Sequence, residues 1–393
     1  MVALPGWSYR GCMRGAFENL EAVSFDSLSE HLRTLHDRLL DTAPGIQRVG
    51  CALYDEGSDE LRTFINSTRD GEPLKAYDYR LAQSWSLSEL ARTRRVRVLT
   101  DLPSQIDTGT EHSTWVLGMG YKSSFTLPMF FQDRFIGFIF FDSTDPDTFT
   151  PEVQRELVLY GHVITLAIAN ELVTIRSILG TIQLARDFAE LRDLETGAHL
   201  ERMSRYSRII AKALVPSHDL SDEFVSDVFL CAPLHDIGKI GVPDAILLKP
   251  GRLTPEEFEV MKGHTTKGRE MVDAITADLG LTPDSANAIM RNIVEYHHEA
   301  LDGSGYPHGL RGDAIPLESR IASVADIFDA LTSPRPYKPA WSIDRAMEEL
   351  GSMASRGRLD PAAVTALADN LDDAVEIRDR FSELGLDQGP PAH

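Results

Sequence analysis

Eight side chains of the metal-binding type, Glu195, His199, His235, Asp236, His264, His297, His298 and Asp326, are spread over separate apolar-periodic segments of the second half of this chain. The most telling of them, His235-Asp236, follows the apolar run Val228-Phe-Leu-Cys-Ala-Pro-Leu234 and precedes Ile237-Gly238-Lys239. Burying adjacent ionisable groups costs on the order of several kcal/mol unless something neutralises them, and a metal ion is the most direct compensation. If these groups share ions, the segments that carry them must converge, which constrains the fold more than any other feature. The donors are imidazole and carboxylate without thiolate. That set suits manganese, iron or magnesium, leaves zinc open and disfavours copper.

The segments themselves read as helices. Glu195 and His199 stand four apart, one turn apart on one helix face, although such a pair taken alone is usually a solvated surface pair. Thr254-Pro-Glu-Glu257 is a capping box with proline at the first helical position, and Phe258, Met261 and then His264 follow it. Thr282-Pro283-Asp284 starts another helix, which carries Ile289, Ile293 and Val294 and delivers His297-His298 before the loop Leu301 to Gly312. His235-Asp236 falls where a helix gives way to a glycine turn; the competing reading makes His235 a helix cap. With few β signals, this half is expected to be an all-α bundle of five or more helices in which ligands converge.

The first half has another rhythm. Residues 1 to 24 show no periodicity and read as a loosely docked leader. Leu28, Leu32, Leu35 and Leu39 recur at helical spacing. Val49-Gly-Cys-Ala-Leu-Tyr54 and Leu61-Arg-Thr-Phe-Ile65 flank a turn-rich linker and predict a hairpin, and Ser123 to Phe130 with Phe135 to Asp142 predict a second one across Phe131-Gln-Asp-Arg134. Between them lie a helix-rich middle, Leu81 to Leu102, and a loop, Pro103 to Tyr121. Thr150-Pro151-Glu152 opens a helix that little interrupts before Gly180. Val163, Leu166, Ile168, Leu172, Ile175, Ile178, Leu179 and Ile182 make that helix apolar over much of its surface, consistent with a parallel dimer seam or with packing onto its own domain. Residues 371 to 393, acidic and then Gly/Pro-rich, are expected to form one helix and a tail.

Sixty acidic against 39 basic side chains give a net charge of −21, which argues against nucleic-acid polymers and anionic membranes as partners. A small anion can still be held where cations reverse the local potential. The apolar runs Phe135 to Phe141 and Val163 to Ile168 fall short of the roughly 20 residues of a membrane span. Three cysteines, Cys12, Cys51 and Cys231, form no CxxC pair, so a reducing cytoplasm is the expected setting.

His235-Asp-Ile-Gly-Lys239 resembles the signature of the HD metal-dependent phosphohydrolases, and His297-His-Glu with Asp302-Gly-Ser-Gly-Tyr-Pro307 resembles the HD-GYP subfamily. The likeness extends to His264-Thr-Thr, Asp326-Ile-Phe-Asp-Ala-Leu-Thr332, Arg335-Pro-Tyr-Lys338 and Leu359-Asp-Pro361. It implies hydrolysis of cyclic di-GMP at two or three divalent metal ions, iron or manganese. By motif, His199, His235, Asp236 and Asp326 would form the core site, and His264, His297 and His298 would complete a second one, with Asp236 bridging. Glu195, in Glu-Thr-Gly-x-His, resembles the trinuclear type and implies a third metal. Catalysis is assigned to His235, Asp236 and Lys239. Lys239, Arg335 and Lys338 would meet the phosphates, and Gly305, Tyr306 and Pro307 would form the adjoining binding loop, although a plain structural turn is an equal reading there. Metal-bound water, Lys239 and Asp193 are candidates for protonating the leaving oxygen. Asp329 is expected to orient metal ligands rather than bind metal. Relatives often carry a basic residue where Ala300 stands, which puts any contact made by that side chain in doubt.

Residues 25 to 175 resemble, at the level of pattern, a GAF domain: helix, hairpin, variable middle, a second hairpin ending in Phe140-Phe-Asp-Ser143, and a long exit helix. The resemblance implies a regulatory domain with a small-molecule pocket, or one that only dimerises. The expected organisation is an α+β GAF-like sensor (25–150), a connecting helix (151–189), an all-α HD-GYP bundle (190–370) and a C-terminal segment (371–393), assembled as a homodimer and acting on cyclic di-GMP.

Overall fold

Alternating apolar residues and tight polar turns build the first domain. The computed structural model describes residues 27–106, 109, 111–188, 197–278, 285–334 and 340–382. Helix α1 (Leu28–Leu39) starts at Ser27, whose hydroxyl accepts the Glu30 amide. The first hairpin is β1 (Arg48–Asp55) with β2 (Glu60–Thr68). A short edge strand, β3 (Asp78–Arg80), pairs with β2. Helix α2 (Trp85–Thr93), strand β4 (Arg97–Leu99) and the short helices α3 (Leu102–Gln105) and α4 (Glu111–Gly118) form the middle. The second hairpin is β5 (Ser123–Phe131) with β6 (Arg134–Ser143); Gln132 and Asp133 at its turn both have positive φ, as a two-residue turn matched to strand twist requires. All neighbours are antiparallel in the order β3-β2-β1-β6-β5-β4. Gly137 makes the β1–β6 approach, since a Cβ there would lie 2.0 Å from the Ala52 carbonyl oxygen.

Thr150-Pro151-Glu152 starts a 38-residue helix, α5 (Pro151–Phe188), which runs through Gly180. Leu157, Ile164, Ile168 and Leu172 bury themselves with Phe125, Phe141 and Met129 of the sheet and Leu32 and Leu39 of α1. The opposite side keeps Leu159, Val163, Leu166 and Val173 exposed. Its first part, Pro151–Ile175, is long and apolar enough by length and composition to cross a membrane, with a mean hydropathy of 1.5. Run length misses this because single polar residues such as His162 and Asn170 break the apolar runs.

The second domain packs α6 (Gly197–His218), α7 (Asp222–Cys231), the short α8 (Asp244–Leu247), α9 (Pro255–Lys262), α10 (His264–Asp278), α11 (Ser285–Tyr296), α12 (Leu317–Thr332), α13 (Ile343–Ser355), α14 (Pro361–Asp369) and α15 (Leu371–Arg380). The capping box at Thr254 and Glu257 is formed on both sides. The start expected at Thr282 lies outside the described residues. Tyr206, Ile210, Val228, Ile293, Val324, Phe328 and Leu367 anchor one core, with the Tyr206 and Phe328 rings edge to face at 5.1 Å.

The two domains meet across α6 and α7 as well as through α5. Asp55 accepts from Arg62 at 2.5 Å and from Arg205 of α6 at 2.9 Å. Asp78 pairs with Arg208 and Lys212 of the same helix. Glu223 accepts the Leu28 amide at 2.7 Å, and Asp222 accepts the Ala76 amide at 2.6 Å. Arg62 lies over the Phe229 ring, 4.9 Å from its centre. Burial would raise the Asp55 carboxyl, but Arg62 and Arg205 together pull it down to about 2.

Candidate metal centre

Helix ends and tight turns bring the ligands in. The Ala232–Leu234 turn after α7 and the Ile237–Gly241 turn hold His235 and Asp236 between them. Gly238 lets this turn lie against α10, because a Cβ there would sit 1.8 Å from the His264 carbonyl oxygen. His264 opens α10, His297 and His298 follow α11, His199 lies in the first turn of α6, and Asp326 lies on α12. Of the eight residues singled out from sequence, seven come together in two groups whose donor atoms lie within 4.8 Å of one another: Asp236 with His264, His297 and His298, and His199 with His235 and Asp326. Glu195, Asp193, Arg335 and Lys338 lie outside the described residues.

Asp236 stands between the groups. One of its oxygens is 3.1 Å from His264 Nε2 and 3.7 Å from His297 Nε2, and the other is 3.3 Å from His235 Nε2. Asp326 is 4.0 Å from His235 Nε2. Four of the five imidazoles are braced on their far side: His235 Nδ1 on the Ala232 carbonyl, His264 Nδ1 on Met261, His297 Nδ1 on Ile293 and His199 Nδ1 on Asp329, at 2.7–3.0 Å. A ring that donates from Nδ1 presents a lone pair at Nε2. His264 Nε2, His297 Nε2 and Asp236 Oδ1 are buried with no hydrogen-bond partner. Buried polar atoms left in this way are costly in a folded interior, and a shared cation satisfies all three. The residues present therefore fit metal ions of the oxygen- and nitrogen-binding kind.

The electrostatics agree with that use. Burial holds His297 below the ordinary imidazole range, and burial with the neighbouring His297 holds His298 well below it, so both rings are neutral donors. Burial alone would raise the Asp236 carboxyl, yet Lys239, His235 and His264 hold it well below the usual range, and it is a carboxylate. The Lys239 ammonium sits 2.5 Å from Asp236 Oδ2, so its contact in this structure is with a metal-type ligand.

Asp329 touches a ligand rather than the metal groups: it accepts from His199 at 2.7 Å and takes a two-pronged contact from Arg202 at 2.5 and 2.9 Å. Burial opposes its charge, and His199 and Arg202 pull it down to about 2. Arg202 also donates to the carbonyl of Phe381, beyond α15. Sequence reasoning missed Arg202, whose only signal is its place three residues after His199. It gave Glu299 no role beyond its place in the His297-His-Glu motif; Glu299 accepts the amides of His308, Gly309 and Leu310 and so closes the loop after His298. In that loop Gly305 packs so tightly that a Cβ would lie 2.3 Å from the Ala300 amide nitrogen. Tyr306, joined to Pro307 by a cis bond, places its ring 4.7 Å from His298. Phe258 and Lys262 of α9 form the rim, with the Lys262 ammonium 5.8 Å from the Tyr306 ring. Ala300 is itself buried.

Comparison with known proteins finds a family match for each half of the chain. Residues 186–363 match the HD domain family and residues 26–169 match the GAF domain family. The chain is 47% identical over 204 residues to the cyclic di-GMP phosphodiesterase response regulator RpfG of Xanthomonas campestris, covering 51% of this chain and 50% of that protein. It is 42% identical over 175 residues to a cyclic di-GMP phosphodiesterase of Thermotoga maritima, covering 44% and 45%. It is 35% identical over 227 residues to the 3′3′-cGAMP-specific phosphodiesterase 2 of Vibrio cholerae, covering 57% and 41%. The chain thus spans about half the length, or less, of these curated relatives. The α+β half thus carries the match to the GAF domain family and the helical half the match to the HD domain family.

Proposed function

We propose that the protein is a metal-dependent phosphodiesterase of the HD-GYP type that opens cyclic di-GMP to pGpG, carries pGpG on to GMP, and is governed by its GAF domain. The observation that carries this reading is the pair of donor groups with the Asp236 carboxylate between them. His199, His235, Asp236 and Asp326 would hold one ion and Asp236, His264, His297 and His298 another, with Glu195 reserved for a third; iron and manganese suit this donor set. Such ions, when bound, acidify a water and neutralise phosphoryl oxygens.

The chain's own residues supply the rest. The braced imidazoles fix where the lone pairs meet, which spares reorganisation when substrate arrives. Lys239 brings a cation to the edge of Asp236, within reach of a phosphate, and Arg335 and Lys338 would add charge. Tyr306, held by the loop that Glu299 closes, offers a ring beside His298 for a guanine base, with Gly305 and Pro307 shaping its approach. We assign the domains as a sensor at 25–150, a connecting helix at 151–189, the phosphodiesterase at 190–370 and a C-terminal segment at 371–393. The buried side chains of Cys51 and Cys231, both packed in apolar cores, suit a reducing cytoplasm.

A second copy of the chain is the partner we assign to α5. Leu159, Val163, Leu166, Asn170 and Val173 are exposed in alternating steps of four and three, the spacing of a two-stranded coiled-coil seam with one polar position to set its register.

The test is product analysis. Protein purified anaerobically, with its metal content measured, is incubated separately with cyclic di-GMP, 3′3′-cGAMP and pGpG. GMP from cyclic di-GMP and from pGpG supports the two-step reading; accumulation of pGpG removes the second step. Faster turnover of 3′3′-cGAMP transfers the assignment to that messenger, and binding without turnover in iron- and manganese-loaded protein sinks the enzyme reading.

A further inference from the structure

The GAF domain encloses a cavity of about 500 Å³ beneath α2, α3 and α4. Its walls are mostly apolar and aromatic. Tyr77 and Phe140 flank His112, with ring centres 6.1 and 5.8 Å away, and Trp85 stands at the cavity lining with 81% of its surface exposed. Among the described residues three charged side chains reach it, and their signs do not balance.

Arg48 and Asp142 cancel each other at 2.5 Å, both nearly fully buried, and the second Asp142 oxygen accepts from Ser124. Burial pushes His112 down to about 4, so it is neutral at physiological pH. Arg97 remains. From β4 it donates to two hydroxyls, Ser86 Oγ at 2.8 Å and Thr126 Oγ1 at 3.2 Å, while its Nε is buried with no hydrogen-bond partner. Among the described residues it has no ion pair. Hydroxyls orient a guanidinium without neutralising it, and Asp142, which also acts on Arg97, is already paired with Arg48; two guanidiniums sharing one carboxylate leave this half-buried site one negative charge short, which a counter-ion would supply.

We propose that this cavity binds a small amphiphilic anion, a molecule with one carboxylate, sulfonate or phosphate on a flat apolar body, with Arg97 as its counter-charge and the Tyr77, His112, Phe140 and Trp85 side chains around its body. The proposal rests on the reading of the GAF domain as a small-molecule sensor and specifies the class of ligand. The cavity also adjoins the second domain. Tyr77 and Tyr79 line it, and Asp78 between them holds Arg208 and Lys212 of α6, the helix that carries His199.

The experiment is a fluorescence titration of the full chain with two probes: 1-anilinonaphthalene-8-sulfonate, a flat apolar body with one anionic group, and its uncharged counterpart N-phenyl-1-naphthylamine. Wild type is expected to bind the sulfonate saturably and more tightly than the neutral probe. Arg97→Gln is expected to weaken the sulfonate by about tenfold or more while leaving the neutral probe unchanged, which also reports that the cavity is intact; Arg97→Lys is expected to retain part of the affinity. Equal affinity of wild type for both probes, or undiminished sulfonate binding by Arg97→Gln, overturns the anion assignment and leaves the sensor reading standing. Absence of saturable binding by either probe overturns both.

Discussion

In the HD domain the groups turned toward the site are lone pairs, whereas in the GAF domain the group left over is a guanidinium. The HD centre gathers imidazoles and carboxylates, four of the imidazoles braced on their far side by a carbonyl or by Asp329, and its lone pairs call for cations. The GAF cavity neutralises Arg48 with Asp142 and leaves Arg97 facing hydroxyls, so its balance calls for an anion. A net charge of −21 describes neither place. Partner chemistry is decided by local imbalance in low dielectric, where interactions between charges are strongest.

The contrast can be broken most severely at Asp236. Asp236→Ala is expected to strip metal from both donor groups and to lower cyclic di-GMP hydrolysis by at least about 10³-fold, measured as metal per chain by mass spectrometry and as product by chromatography. Full metal retention in that variant would refute the shared-ligand assignment. Asp329→Asn tests bracing rather than ligation: metal affinity, read by competition with a chelator, should fall by about 10- to 100-fold, while an unchanged affinity would make the His199–Asp329 contact structural only.

On α5, Leu166→Glu should halve the mass observed by sedimentation without loss of helix signal, and wild-type protein that is already monomeric would end the seam proposal. The smallest effect is expected at the domain face. Asp55→Asn leaves Arg62 and Arg205 short of a carboxylate and should cost on the order of 3 kcal/mol, seen as a melting point several degrees lower. Because the Asp55 carboxyl is held down at about 2 from its usual 3.8, this contribution is complete above about pH 4 and is lost as pH falls through about 2. Melting curves of wild type and Asp55→Asn should therefore converge in that acid window, and parallel curves would show that the pair contributes nothing.

What could be read from sequence follows from the range of the interactions. The hairpins, the capping box at Thr254 and the long helix from Pro151 are local patterns, and all three are present. Strands β3 and β4 were not anticipated, because three residues are too few to show alternation and each is held only by its neighbour at a sheet edge. The meeting of His199, His235, Asp236, His264, His297, His298 and Asp326 was legible because their chemistry is unusual in apolar segments. Arg202 and the Phe381 carbonyl were not: they lie 179 positions apart, and an arginine near a helix start carries no signal of its own. The salt bridges from α6 to Asp55 and Asp78 were hidden for the same reason, and sequence reasoning joined the domains through α5 alone.

Helix α6 connects these matters in another way. From His199 to Lys212 it spans roughly 20 Å of continuous helix, at about 1.5 Å per residue, with a metal-type ligand at one end and the grip of Asp78 toward the other. If α6 shifts when either site fills, the two occupancies are linked, and linkage is reciprocal. The factor by which an anion in the GAF cavity changes metal affinity must equal the factor by which metal changes the affinity for that anion. Metal supply to the HD domain would then set the concentration at which the sensor responds, so the same sensor would be tuned differently in metal-poor and metal-replete cells.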